Sequence, residues 1–251
     1  MTMLPDNAFM RRLPIAVPLK KRLEVDAILT STDIAFVAYD KIFDILTGLH
    51  LSQVPGIPLR TATELCLNAW AIVDSVHTLR QFAEKTAKPE GQMARFLKSC
   101  EHFTEMRNVM HHRAGQLGNA ANTKAENHPT YGVVSFCSPI DSDQRFNMTQ
   151  ITLGTTHHER HRFADVDSNL NPSDKTITHV TLTAFDYQTD LSRVNLELYE
   201  LIVSMNRQLQ ETILPQLTAA AEAAGEDLDK VLADYNGRND IITVMMQFEG
   251  S

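Results

Sequence analysis

The residues best suited to chemistry occupy one short run, Arg107-Asn108-Val109-Met110-His111-His112. Histidine titrates near neutral pH and can transfer protons, while the planar fork of arginine matches the oxygens of a phosphate group. On a helix, Asn108 and His112 lie four residues apart and share a face, whereas Arg107 lies about 100° away. Arg107 would join that face if the helix began or bent there, or if two subunits combined their copies. The run therefore indicates acid–base chemistry at a phosphate.

The same cations have a simpler explanation as the end of a helix. His111, His112 and Arg113 would then stabilise the negative end of the helix macrodipole. Spacing alone does not separate this explanation from the catalytic one.

A second polar group lies on the preceding helical segment. Asp74, His77 and Arg80 are spaced by three residues and line one face beside an apolar stripe. We expect Asp74 to orient a histidine, and His77 or Arg80 to assist at a phosphate. These three residues and His111 are the predicted substrate-binding residues. The alternative is a surface pair between Asp74 and Arg80, which would contribute little to stability.

Arg107, Asn108 and His112 match the pattern Arg-Asn-x-x-x-His, and in this the chain resembles the HEPN-type metal-independent ribonucleases. The resemblance covers residues 22–117 and 189–223 as a bundle of about four helices, but the matching motif is only six residues long. It implies that Arg107 binds the phosphate, that Asn108 positions the groups, and that His112 is the catalytic acid or base. It also implies RNA cleavage without a metal or other cofactor, leaving 2′,3′-cyclic phosphate ends.

The resemblance carries expectations about partners as well. It implies a homodimer whose two copies form a composite site, and a role as a toxin or defence effector with an antitoxin or another protein as a partner.

A rival cluster is the run His157-His158-Glu159-Arg160-His161. Three histidines and a carboxylate are suitable zinc ligands, but His157 and His161 would meet only on a helix, and the run is typical of a loop. With Arg162 it could instead contact RNA phosphates, or it could be an ordinary exposed loop. We predict no metal ligands. Motifs for nucleotide-dependent chemistry are also missing from the sequence.

Composition predicts a globular protein of the cytoplasm. The chain has 251 residues, of which 43% are hydrophobic and 22% charged, values close to the globular average. Its three cysteines, Cys66, Cys100 and Cys137, have no paired spacing, which favours a reducing compartment. Neither a secretory signal nor a membrane span is expected. The formal net charge of −8 argues against a general nucleic-acid binder, although it allows a local basic pocket.

Hydrophobic periodicity predicts a mainly α protein with a small antiparallel β insertion. Long helices are predicted at about 23–49, 61–85, 92–116 and 189–223, the last kinked or ended by Pro215. Strand-like composition occurs at 131–138, 146–154 and 175–186. A short helix at 226–236 and a strand at 241–248 are further expectations. The predicted organisation is an extended arm (1–20), a helical bundle (21–117 with 188–224), a β-rich insertion (118–187) and a tail (225–251).

Three functions follow from these observations. The first is a metal-independent endoribonuclease. The second is a non-catalytic interaction or scaffolding protein with the same helical fold, which the acidic charge and the β insertion favour. The third is a metal-dependent hydrolase built on the histidine-rich run at 157–161.

Overall fold

The computed structural model describes residues 2–13, 17–52, 56–85, 89–111, 131–139, 146–153, 177–184 and 187–228. Within these ranges a 3₁₀ helix spans Phe9–Arg12, and five α-helices follow: α1 (Leu19–Ser52), α2 (Leu59–Ala83), α3 (Gly91–Ser99), α4 (Phe103–His111) and α5 (Leu191–Ala224). The strands are β1 (Val133–Pro139), β2 (Phe146–Thr152), β3 (Thr178–Ala184) and β4 (Tyr187–Asp190). A mainly helical chain with a small antiparallel sheet is thereby confirmed, while the HEPN type and the count of four helices stay predictions.

The chain divides into two compact units. One comprises Met1–Met3 with Thr30–Ile202, and the other comprises Leu4–Leu29 with Val203–Ser251. The first unit contains α2, α3, α4 and the sheet, and it therefore contains every described residue of the predicted site.

Helix α2 forms where apolar residues recur every three or four positions and make one apolar stripe. Its buried members include Leu65, Ala69, Val73 and Val76. Burying a leucine or valine side chain of this stripe contributes about 1.5–3 kcal/mol to stability. At the edge of this stripe, the indole nitrogen of Trp70 donates to the Tyr131 carbonyl at 3.1 Å, which ties α2 to the chain just before β1.

The third predicted helix is in fact two helices. The expected helix at 92–116 is interrupted after Ser99, and α4 begins at Phe103. Phe96, Cys100, Phe103 and Met106 are all fully buried, so the apolar spacing continues through the turn. The interruption could not be read from the periodicity because both helices bury the same stripe.

The four strands form an antiparallel sheet in the order β2-β1-β3-β4. On β3 the alternate residues Val180 and Leu182 are buried, whereas β1 is buried at every position from Val133 to Ser138 and is therefore covered on both faces. The register of β1 against β3 shifts between Ser135 and Cys137, where His179 has a φ of 54°.

Strand β4 was not expected, since the sequence pattern predicted helix from residue 189. The structure keeps Tyr187–Asp190 extended, paired with β3, and begins α5 at Leu191. The carboxylate of Asp190 accepts a hydrogen bond from the Arg193 N–H at 3.0 Å, the geometry of a helix N-cap. The same helix continues past Pro215 to Ala224, so the proline does not end it.

The predicted extended arm is compact where the structure describes it. Met10 is fully buried in the 3₁₀ helix, and its N–H donates to the Asn206 side-chain oxygen at 2.9 Å within the second unit. Apolar residues such as Leu4 and Leu13 are buried as well, which explains why this segment does not remain extended. The predicted elements at 226–236 and 241–248, and the loop at 118–130, lie largely or wholly outside the described residues.

Replacing Gly132 or Gly48 with alanine should change the free energy of unfolding in opposite directions. Gly132 has a φ of +88°, and a Cβ there would lie 2.5 Å from the Thr183 carbonyl oxygen, whereas a Cβ on Gly48 in α1 meets nothing within 4 Å. Gly132→Ala should lower the free energy of unfolding by about 2 kcal/mol or more, because strain and overlap add. Gly48→Ala should raise it by about 0.5–1 kcal/mol. Urea denaturation measures both, and effects of the same sign would contradict the close packing of β1 on β3.

Candidate functional site

The candidate site is carried by α4, which packs on α2 through its buried residues. Phe103 and Met106 have no exposed surface, so the buried side of α4 is fixed by them. Arg107 and His111 are four residues apart and therefore lie one above the other on the helix surface. His111 is the last described residue of α4, and His112 lies outside the described part of the chain.

Asp74 of α2 contacts the side chains of both Arg107 and His111. Its Oδ1 atom lies 3.1 Å from Nε of Arg107 and 3.1 Å from Nε2 of His111. All three side chains are substantially exposed, by 52% for Asp74, 37% for Arg107 and 49% for His111. The structure thus brings together three of the predicted site residues, with one carboxylate oxygen shared between an arginine and a histidine.

Asp74 contacts a single nitrogen of each of its two partners. Arg107 uses only Nε for Asp74, and its two terminal nitrogens have no hydrogen-bond partner among the described residues. His111 uses only Nε2, which leaves Nδ1 similarly unpaired. Asp74 therefore orients the guanidinium and the imidazole without occupying the guanidinium fork that binds phosphate oxygens best.

His77 lies beneath this surface rather than in it. The residue is 7% exposed, its Nε2 is 3.1 Å from the Gln81 amide nitrogen, and its Nδ1 is 3.4 Å from the Thr104 hydroxyl. Burial lowers the pKa of His77 below 6.5, and the nearby charges of Arg107 and Arg80 lower it further. With the Gln81 amide as donor, the ring is neutral and carries its proton on Nδ1. His77 thus links α2 to α4.

Arg80 is held by the turn between α3 and α4. Its guanidinium donates to the Cys100 carbonyl at 2.8 Å, to the Glu101 carbonyl, and to the Glu84 carboxylate at 2.7 Å. Both carbonyls lie in the turn between α3 and α4, where the Cys100 carbonyl also accepts from the Phe103 N–H at 3.1 Å. Arg80 thus pairs with Glu84 rather than with Asp74, and it braces the turn that positions α4; its role at a phosphate stays a prediction.

Asn108 is exposed on α4, and its side chain has no hydrogen-bond partner in the described part of the chain. It adjoins Arg107 in sequence but does not share the Asp74 carboxylate. Sequence reasoning did not identify Gln81 and Thr104 as partners of His77. The four-residue spacing of His77 and Gln81 was a usable indication, whereas Thr104 reaches His77 only through helix packing.

Other chemistry finds less support at this site. Burial raises the pKa of the Cys100 thiol to about 12, which makes it a poor nucleophile. Within the described ranges, His, Cys, Asp and Glu side chains form no group of three or more that could hold a metal ion. The run at 157–161 lies outside those ranges.

An open cavity of about 460 Å³ lies elsewhere, against β2, with Leu49, Ile57 and Ala62 in its wall.

No family model, curated protein or solved structure matches this chain. The helices that the structure describes include none that is both long and apolar enough to cross a membrane. The site must therefore be interpreted from its own geometry.

The lowered pKa of His77 predicts a pH dependence of stability. Because the unfolded chain would bind a proton at a higher pH than the folded one, the free energy of unfolding should fall as the pH drops below about 6.5 towards the folded-state pKa. His77→Gln should weaken this dependence, while His102→Gln, at a half-exposed histidine, should keep it. Urea denaturation at a series of pH values measures the slopes. Equal slopes in wild type and His77→Gln would show that His77 is not held neutral.

Two arginine–glutamate pairs of the same spacing on α2 test the role of Arg80. Arg80→Met removes the hydrogen bonds to the turn and should lower the free energy of unfolding by about 1–3 kcal/mol. Arg60→Met removes a pair with Glu64 in which the arginine is 88% exposed, and should change stability by no more than about 0.5 kcal/mol. If the two variants unfold at the same urea concentration, the carbonyl contacts of Arg80 contribute nothing.

Proposed function

We propose that this chain is a metal-independent endoribonuclease of HEPN type. The observation that carries the proposal is the shared Asp74 oxygen, which holds Arg107 and His111 side by side with the arginine fork and one imidazole nitrogen unpaired in the described part of the chain. Cleavage of RNA without a metal needs these two groups: a cation for the phosphate and a side chain that moves protons near neutral pH.

The chemistry is transfer of the phosphate to the neighbouring ribose oxygen. A base takes the proton of the 2′-hydroxyl, the 2′-oxygen bonds to phosphorus, and the bond from phosphorus to the 5′-oxygen breaks. The departing oxygen is protonated, so the products are a 2′,3′-cyclic phosphate and a 5′-hydroxyl. Arg107 would stabilise the charge that develops on the phosphate oxygens. The roles of Asn108 and His112 in this proposal come only from the resemblance to HEPN ribonucleases.

The exposure of the cluster suits a long substrate. Asp74, Arg107 and His111 lie on an open helix surface, and the described cavity is not lined by any of them. A small metabolite gains most of its affinity from enclosure, whereas a polymer can gain affinity from contacts along its length. An RNA strand crossing α4 therefore fits this surface better than a small phosphate ester does. Action in the cytoplasm, as a homodimer and with a protein partner, completes the proposal.

A non-catalytic interaction module is the second candidate function. Leu59 and Leu67 lie eight residues apart on one face of α2 and are 83% and 69% exposed. Large apolar side chains grouped on an exposed helix face are typical of protein interaction surfaces. In such a protein, the Asp74 cluster would be an ordinary surface network at the end of α4.

Cleavage of a mixed RNA pool in EDTA tests the proposal. Wild-type protein should cleave and leave cyclic phosphate ends, and Arg107→Ala should reduce the rate by about 100-fold or more, because charge stabilisation is lost. His112→Ala tests the residue taken from the resemblance. Arg60→Ala, at an exposed arginine on α2, is the matched control and should retain the wild-type rate.

Two other results would change the conclusion. If folded wild-type protein cleaves no RNA, the interaction module is favoured. If cleavage occurs without EDTA and stops in its presence, the reaction depends on a metal, and the histidine-rich run at 157–161 becomes the candidate site.

A further inference from the structure

We infer that His111 is the general base of this site and that Asp74 is its positioning residue. The inference rests on the proposed ribonuclease function. It differs from what the motif implies, because the Arg-Asn-x-x-x-His pattern selects His112, the next residue along the chain.

Helix geometry favours His111 as the neighbour of Arg107. At 3.6 residues per turn, a separation of four residues rotates a side chain by about 40° around the axis, and a separation of five rotates it by about 140°. His111 therefore lies beside Arg107, whereas a side chain five residues further along a regular helix would point away from it; His112 itself lies outside the described residues. The structure agrees for His111, because both side chains reach one oxygen of Asp74, at 3.1 Å each.

The bond to Asp74 selects the tautomer that a base requires. A carboxylate accepts hydrogen bonds, so the neutral imidazole must carry its proton on Nε2 to pair with Oδ1 of Asp74. The lone pair is then on Nδ1, which has no partner among the described residues. A histidine held in this way by a carboxylate has a fixed ring orientation as well as a fixed tautomer.

The arginine places the substrate against that nitrogen. A phosphate bound by the unpaired terminal nitrogens of Arg107 would lie next to His111, since the two side chains share the Asp74 oxygen. His111 Nδ1 then takes the proton of the ribose 2′-hydroxyl as the 2′-oxygen bonds to phosphorus. The 5′-oxygen leaves with the electron pair of its bond to phosphorus and takes a proton from water.

Two RNA substrates separate a base from an acid. One is an ordinary oligonucleotide, and the other carries a bridging 5′-sulfur at the mapped cleavage site, a leaving group that needs no proton. His111→Ala should slow cleavage of both by about 100-fold or more, because general base catalysis contributes on that scale. His102→Ala, at a histidine outside the cluster, should cleave both at the wild-type rate. Normal cleavage of the sulfur substrate by His111→Ala would make His111 an acid and overturn the assignment.

Asp74 is tested by a conservative variant and by a measurement that needs no activity. Asp74→Asn keeps an oxygen that accepts from Nε2 of His111 and from Nε of Arg107, and it should retain more of kcat than Asp74→Leu. Nitrogen NMR of the histidine rings should show His111 with its proton on Nε2 in wild type and a mixture of tautomers in Asp74→Leu. The same spectrum in both proteins would overturn the positioning role.

The failure of the proposed function can be told apart from the failure of this inference. If wild-type protein cleaves neither substrate, the ribonuclease function is wrong and the base assignment is wrong with it. If wild type cleaves, His112→Ala is inactive and His111→Ala is fully active, only the inference about His111 is wrong.

Discussion

The arrangement of the site depends on the hydrogen bonds by which Arg80 connects α2 to the turn between α3 and α4. Within this turn the Cys100 carbonyl accepts from the Phe103 N–H, and the arginine adds contacts that connect the turn to α2. The Arg80 guanidinium, which extends from α2, donates to the carbonyls of Cys100 and Glu101. Since Phe103 and Met106 are buried directly after this turn, α4 is fixed against α2 along its first turns. The meeting of Asp74 with Arg107 and His111 follows from that placement.

The interface between α2 and α4 has a buried layer and an exposed layer with different physical roles. His77 is buried and its pKa is lowered, so its contact with Thr104 joins α2 to α4 without placing a charge in a low-dielectric environment, while its other partner, Gln81, lies on α2 itself. Asp74 and its two partners are exposed, where ion pairs contribute only about 0–1 kcal/mol to stability. The exposed layer therefore does little for folding. What it provides is a fixed orientation for Arg107 and His111, the two groups to which the proposed function assigns phosphate binding and proton transfer.

The acidity of the whole chain sets a condition for any action on RNA. A formal net charge of −8 gives little long-range attraction for a polyanion, so binding has to come from local contacts. Under the proposed function Arg107 would supply one such contact, while Asp74 holds its guanidinium in place and lowers the local positive charge. An enzyme built in this way would select its cleavage site on the RNA through local contacts rather than through overall electrostatic attraction. The interaction module of the second proposal would not face this constraint.

The sequence by itself determined the parts that depend on local periodicity. The apolar stripe of α2 with Asp74, His77 and Arg80 at its margin, the two strands β2 and β3, and the four-residue spacing of Arg107 and His111 can all be read along the chain. Tertiary packing alone decided the turn after Ser99, the burial of His77, and the pairing of Asp74 with residues 33 and 37 positions away. A hydrophobic pattern reports which side of a helix is buried. It does not report which helix covers that side, and the partner of each polar residue depends on that choice.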